Sequence, residues 1–363
     1  MSVIKMILTN GFDPDVRVYK EAKYLVNKGH EVDILCWDRR NIYKDKQNEN
    51  YDGINIIRFE IHSKPGSGFK QLPAYFKFYK ECKKHLKQNC YEYLHCHDLD
   101  GMLIGFFSKN KTTKLVFDMH ELYESGRLGK YAYIIRKMLS IFQNKCYKII
   151  YVNDVQITGV SDKNKDKLIY IPNYPETSKL TDIKKTDCEK LRVSYIGTVR
   201  QYEMLKLLMD AVKDDERFFV SINGDGMCYQ NIKELSVNYS NVEVTGRYNH
   251  DEVIKFYKNA DLLYCIYDSQ IKNHNTAIAT KFFEAIATLT PVIVTEGSAM
   301  EQVCKKYGIG ISIDSKNIET IKSALLDFYY NRDKLASMSD NMKKIQFNFS
   351  WEEIVKNLDV IYN

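Results

Sequence analysis

Short apolar runs alternate with longer amphipathic stretches along the whole chain. In the first half VIKMILTN, HEVDILCWD, INIIRFEI, YEYLHCHD, TKLVFDMHE and YKIIYVND are rich in β-branched and aromatic residues and read as strands. LRVSYIG, RFFVSING, NVEVTG, DLLYCIY, PVIV and GIGISI read the same way in the second half. Helical periodicity separates several of them. Between Pro14 and Lys28, the residues Val18, Ala22, Leu25 and Val26 share one face, and Gly29 stops the helix. The segment Asn273 to Val294 reads as a loop, a helix starting near Thr276, and a strand after Pro291. Strand–helix alternation predicts an α/β protein with parallel sheets covered by helices on both faces. Two such sets predict two doubly wound, Rossmann-like domains facing a central cleft. The periodicity breaks at IPNYPETSKLTDIKKTDCEKLR, which divides the chain into 1–173 and 174–349.

Composition narrows the class. A chain of 363 residues exceeds one ordinary core. A hydrophobic content of 44% with 28% charged residues describes a soluble globular protein. No apolar run is long enough to cross a bilayer, and Met1 leads directly into a strand-like run, so a cytoplasmic location is expected. Nine cysteines without a CxxC pair point to reduced thiols. The net charge of +6 comes from the first half, which is therefore expected to meet something anionic. Two basic, aromatic segments there, Phe69 to Lys87 and Lys130 to Ile150, suit peripheral contact with an anionic membrane. Nucleic acid is not expected, since neither a stacking motif nor a recognition helix accompanies the charge.

Candidate chemistry lies where strands end, because open parallel sheets bind ligands outside the carboxyl ends of their strands. Those ends carry Asn10-Gly11, His97-Asp98 and His120-Glu121, then Gly197, Gly224 with Gly226, and Gly246. Arg200 follows Gly197 and can grip a diphosphate with both arms of its guanidinium. Lys281 and Glu284, three apart, share a helix face near its N-terminus, where the helix dipole favours phosphate. His95 and His97 flank Cys96, but no carboxylate or third histidine stands at ligand spacing, so no metal site is expected. The dinucleotide fingerprint, the P-loop and the hydrolase nucleophile elbow are all absent.

DPDVRVYKEAKYLVNKGHEVDIL, YLHCHDLDG, LVFDMHELYES, IPNYPE, YIGTVRQYEMLKLL, INGDG, VEVTGRYNHDEVIKFYKNADLLY, KFFEAIATLTPVIV and FSWEEIVKNLDVIY follow one another in this order. In that order and spacing the chain resembles a family-4 glycosyltransferase of the GT-B fold. The resemblance implies retaining, metal-independent transfer of a sugar from a nucleotide-sugar to a saccharide or lipid-linked saccharide acceptor, as in cell-surface polysaccharide synthesis. No cofactor is implied, the nucleotide-sugar being a substrate. It implies an acceptor-side first domain, closed by a C-terminal helix 350–363, and a donor-binding second domain. It assigns catalysis to His120, Arg200, Lys281 and Glu284, and donor contacts to Gly11, Gly197, Gly224, Thr276 and Phe282. Asn10, Arg17, His97 and Asp98 fall on the acceptor side. Glu284 matches the second carboxylate of the family's Glu-x7-Glu motif, while Thr276 stands at the first. Leu289 stands where a glycine usually precedes Thr-Pro, and of the first loop's glycine pair only Gly11 remains. These departures motivate a rival expectation, a non-catalytic GT-B partner or nucleotide-binding protein.

Overall fold

The computed structural model describes residues 1–13, 15–64, 66–121, 123, 132–181, 183–186, 188–249, 252–268 and 278–363. They form two compact units, Met1–Asn173 with Ile354–Asn363, and Tyr174–Glu353.

The first unit is built on eight strands: β1 (Val3–Leu8), β2 (Glu31–Asp38), β3 (Asn48–Tyr51), β4 (Ile54–Glu60), β5 (Tyr93–His97), β6 (Lys114–Met119), β7 (Lys148–Tyr151) and β8 (Leu168–Tyr170). Their order across the sheet is β3-β4-β2-β1-β5-β6-β7-β8. All neighbours are parallel except β3 and β4, which pair antiparallel. The direction of winding reverses between β1 and β5, so the ends of those two strands flank the crevice where such sheets bind ligands. The central strands are buried and mostly apolar, and the polar groups buried in them include the paired Lys5 and Asp33 and the cluster His95, His97 and Asp118. Two strands escaped the sequence pattern. β3 is the polar, largely exposed NENY, held by its hairpin to β4, and β8 is only three residues long.

The helix Val16–Asn27 opens on Asp15, whose side chain accepts from the Val18 amide. Its buried face carries Val18, Ala22 and Leu25, but also Arg17 and Glu21. The expected helix over 350–363 is instead a succession of single turns, Trp351–Ile354, Val355–Leu358 and Asp359–Tyr362. Its ends belong to different units. Glu352 accepts from the amides and hydroxyls of Thr177 and Ser178 in the second unit. Tyr362 is buried in the first, edge-on to Tyr93 at 4.9 Å, and Asp359 accepts from Tyr24 and Lys28.

The second unit is a six-stranded, wholly parallel sheet: β9 (Leu191–Ile196), β10 (Phe218–Asn223), β11 (Val242–Gly246), β12 (Leu262–Cys265), β13 (Val292–Thr295) and β14 (Gly310–Ile313). The order is β11-β10-β9-β12-β13-β14, so winding reverses between β9 and β12. The helix expected from Thr276 begins at Thr280 and runs to Ala287. Thr276 itself lies outside the described residues.

That helix ends in a Schellman turn. The Thr290 amide donates to Ala285 O at 2.8 Å and the Leu289 amide to Ile286 O at 3.2 Å. The turn requires a left-handed residue, and Leu289 fills it at φ 53°. A leucine there costs roughly 1–2 kcal/mol relative to glycine. Leu289→Gly is therefore expected to stabilise the chain by about 1 kcal/mol once lost packing is deducted, read as a higher melting temperature. A lower one would mean that leucine packing outweighs the strain.

Candidate functional site

In the second unit Tyr195, Gly197, Thr198, Arg200, Tyr248, Tyr267, Ala279, Thr280, Lys281 and Glu284 line one cavity of about 410 Å³. It lies where β9 ends and the helix Thr280–Ala287 begins, at the reversal of winding. Ala279 caps that helix without a side-chain hydrogen bond, and the first two helical residues, Thr280 and Lys281, line the cavity. Two cations stand beside them. Arg200 is exposed, while Lys281 is 9% exposed with Nζ 3.7 Å from the centre of the Tyr195 ring. A helix N-terminus, a guanidinium and an ammonium together form a site for a multiply charged anion. Glu284, 6% exposed, accepts from the Tyr257 hydroxyl at 2.9 Å.

The loop after β9 is held against the loop after β10. Gly197 N donates to Asn223 O and Val199 N to Asp225 O. Gly224 does not line the cavity. It lies behind Gly197, where an added Cβ would fall 1.9 Å from Gly197 O. Phe282, expected at the donor, is fully buried and does not line the cavity either. It follows Lys281 on the helix and points into the core.

In the first unit Asn10 and Gly11 line a separate cavity of about 370 Å³ with Trp37, Arg39 and Tyr43. The remaining predicted residues gather at the ends of β5 and β6 around Asp118. Arg17 gives Nε to Oδ2 at 2.8 Å and Nη2 to Oδ1 at 2.7 Å. His97 Nδ1 lies 3.0 Å and His120 Nε2 2.8 Å from Oδ2. Burial opposes ionisation of Asp118, but Arg17 and the histidines hold its carboxyl well below the usual range. Partial burial works to lower the pKa of His120, yet Asp118 raises it. Arg17 reaches Ile171 O and Asn173 Oδ1 as well, and Glu21 at 3.0 Å. Its donors are engaged inside the unit, and His97 is 1% exposed. Neither is open to an acceptor, contrary to expectation. Asp98 and His120 are partly exposed, and Asp98 accepts from Tyr123 at 2.6 Å.

Glu21, His95, His97 and Asp118 bring ligand-type atoms within 4.8 Å of one another. The fold thus supplies the carboxylates that the sequence spacing lacked. The set does not fit an ion. The His95 and His97 rings are stacked, 4.3 Å between centres and 23° between planes. A ligating lone pair lies in its ring plane, and no ion lies in both planes at a bond of about 2 Å. Asp118 is already occupied by Arg17. Glu21 is pushed up to about 6 by burial, against the pull of the neighbouring Arg17.

The chain is similar in fold to several solved proteins. Its fold matches sucrose-phosphate synthase of Thermosynechococcus elongatus, with a TM-score of 0.79 at 14% identity over 100% of this chain and 98% of that one. It also matches Anabaena HepE, solved in complex with UDP-glucose, with a TM-score of 0.70 at 12% identity over 100% and 99%. Residues 178–345 match the family model of glycosyl transferases group 1, and residues 15–174 that of glycosyltransferase family 4. The chain is a family-4 glycosyltransferase of the GT-B fold. Two uncharacterized glycosyltransferases of Methanocaldococcus jannaschii are similar in sequence. MJ1607 is 23% identical over 94% of this chain and 91% of its own. MJ1178 is 25% identical over 170 residues, so the match spans 46% of this chain and 46% of that relative.

For this glycosyltransferase, sequence reasoning missed the tyrosines. Tyr195, Tyr248 and Tyr267 line the cavity and Tyr257 holds Glu284. Their only signal was an aromatic at or just beyond the end of an apolar run, which also describes ordinary core. Gly224→Ala is expected to destabilise the glycosyltransferase by about 2 kcal/mol, because the Gly197 loop must move. Thermal melting checks this, and an unchanged melting temperature would show the loop to be freely displaceable.

Proposed function

We propose that this glycosyltransferase moves a sugar from a nucleotide-sugar to a saccharide or lipid-linked saccharide, with retention of configuration and without a metal ion, in cell-surface polysaccharide synthesis. The observation that carries the reading is the convergence of Arg200, Lys281 and an uncapped helix N-terminus on one cavity. As the sugar–phosphate bond breaks, negative charge grows on the departing diphosphate and positive charge on the sugar ring. Preorganised donors stabilise the first, each by about 3 kcal/mol. The phosphate can then take the acceptor's proton on the same face, so retention needs no separate nucleophile. Glu284, oriented by Tyr257, is assigned to the donor's ribose. Gly197 lets the backbone approach the diphosphate, and His120, Asn10 and Asp98 are assigned to the sugar and acceptor. The HepE complex with UDP-glucose supports a uridine-type donor as the first to try.

Arg200→Ala is expected to lower transfer with a cognate donor at least tenfold. Steady-state assay measures it, and a smaller loss would reject the phosphate-binding role. Nucleotides that bind the native state will raise its melting temperature, which makes thermal shift the screen for the donor. Nucleotide binding without transfer or donor hydrolysis would instead favour a non-catalytic partner, the reading that Thr276 at the first carboxylate position motivates.

We further propose that the protein works at the inner face of the cell membrane. No described helix is long and apolar enough to cross a bilayer. The helices Leu72–Gln88 and Ala132–Lys145 and the turn before the first expose Phe69, Phe76, Tyr133 and Ile134 among lysines. Aromatic groups beside lysines suit an anionic headgroup layer. Sedimentation with vesicles is expected to recover more protein with acidic than with neutral lipid, and equal recovery would end this idea.

A further inference from the structure

Asp118 receives four donor approaches on two oxygens, and its ionisation follows from the paired contact with Arg17. An ionised carboxylate accepts and does not donate. Both neighbouring imidazoles must therefore donate to it, His97 through Nδ1–H and His120 through Nε2–H. Arg17 is itself pinned by Ile171 O and Asn173 Oδ1, so the carboxylate has little freedom to turn. The second nitrogen of His120 then faces the partly open side of the site. There Nδ1 lies 3.7 Å from Asp98 Oδ2, too long for a hydrogen bond. Asp98 is held in place by Tyr123 and by a left-handed backbone, φ 63°. An aspartate kept in that conformation marks a site whose surroundings outweigh local strain.

We propose that Asp118, braced by Arg17, is a positioning residue that fixes His120 with Nε2 protonated and offers its Nδ1 to the substrate. This rests on the reading that His120 takes part in transfer. Two consequences separate the arrangement from a packing role. First, the tautomers of His97 and His120 are opposite, and His97 holds the form less common in free imidazole. Second, among the described residues the groups facing His120 are Asp118 from β6, His97 and Asp98 from the end of β5, Arg17 and Glu21 from the helix Val16–Asn27, and Glu121 and Tyr123 just beyond. Burial works to lower the pKa of His120, and Asp118 overcomes it, so the pKa is raised from its ordinary value. Its Nδ1 is a hydrogen-bond donor below that raised value and an acceptor above it. The sign for stability follows. The Asp118–His120 contact contributes fully below the unfolded histidine value, and its contribution declines as pH rises through the folded one.

The test is long-range proton–nitrogen correlation on the full chain labelled with nitrogen-15 histidine. The wild-type spectrum should place His97 in the Nδ1–H form. It should place His120 in the Nε2–H form above a midpoint higher than about 6.5. Asp118→Asn should lower the His120 midpoint, cut kcat at least tenfold and shift the pH profile of transfer in step, with donor KM changed less than threefold. Arg17→Lys keeps the buried charge but removes the fork, and it should reproduce the shift in part. The opposite tautomer at His120 in the wild-type protein, or an unmoved midpoint in a folded Asp118→Asn protein, overturns the proposal. So does an unchanged rate in His120→Asn. A protein that transfers no sugar but shows the expected tautomers would sink the functional reading and leave the positioning geometry standing.

Discussion

Parallel pairing is the constraint from which the rest of this structure follows. Inside a parallel sheet every backbone group is paired and both faces are covered, so the strands have no room for chemistry. Function is confined to the loops at the carboxyl ends, and it concentrates where the winding reverses and two of those loops part. In the first unit that point lies between β1 and β5, in the second between β9 and β12. Asn10, Gly11, His97 and Asp98 occupy the first. Gly197 and Arg200 occupy the second.

The two units treat charge differently. In the second, Arg200, Lys281 and Glu284 line one cavity. Lys281 is laid over Tyr195, and the helix beside it starts without a side-chain cap. On the function proposed above, cations beside a helix start would be preorganised for an incoming diphosphate. In the first unit the charges are matched internally. Arg17 and Asp118 neutralise each other, and the histidines are oriented by the same carboxylate. Removing one partner from such a pair leaves a buried charge alone, which is why these groups are best understood as a unit. The C-terminal residues take part, since Tyr362 reaches the Nδ1 of His95 at 2.8 Å.

Much of this was legible beforehand. All six strands of the second sheet and six of the eight in the first were readable as short runs rich in β-branched and aromatic residues, because strands packed under helices are mostly apolar. The polar hairpin strand β3 and the three-residue β8 were not, since pairing with a neighbour defines them and composition does not. Arg200, Lys281, Glu284 and Gly197 were named from their place after strands or at a helix start, and the fold brings them to one cavity. Phe282 and Gly224 were named from the same segments and lie behind it.

The amino-acid order determined which segments are strands and helices, and hence that the chemistry sits at their ends. Local pattern suffices for that, because periodicity and turn residues act over a few positions. Only the tertiary structure decided which polar side chains are open and which are sealed. Arg17 and His97, assigned to the acceptor side, are interior ties, because Asp118, 101 residues from Arg17, arrives on a neighbouring strand and binds them both. Burial and partnership depend on which distant segments come together, and spacing along the chain does not contain that information.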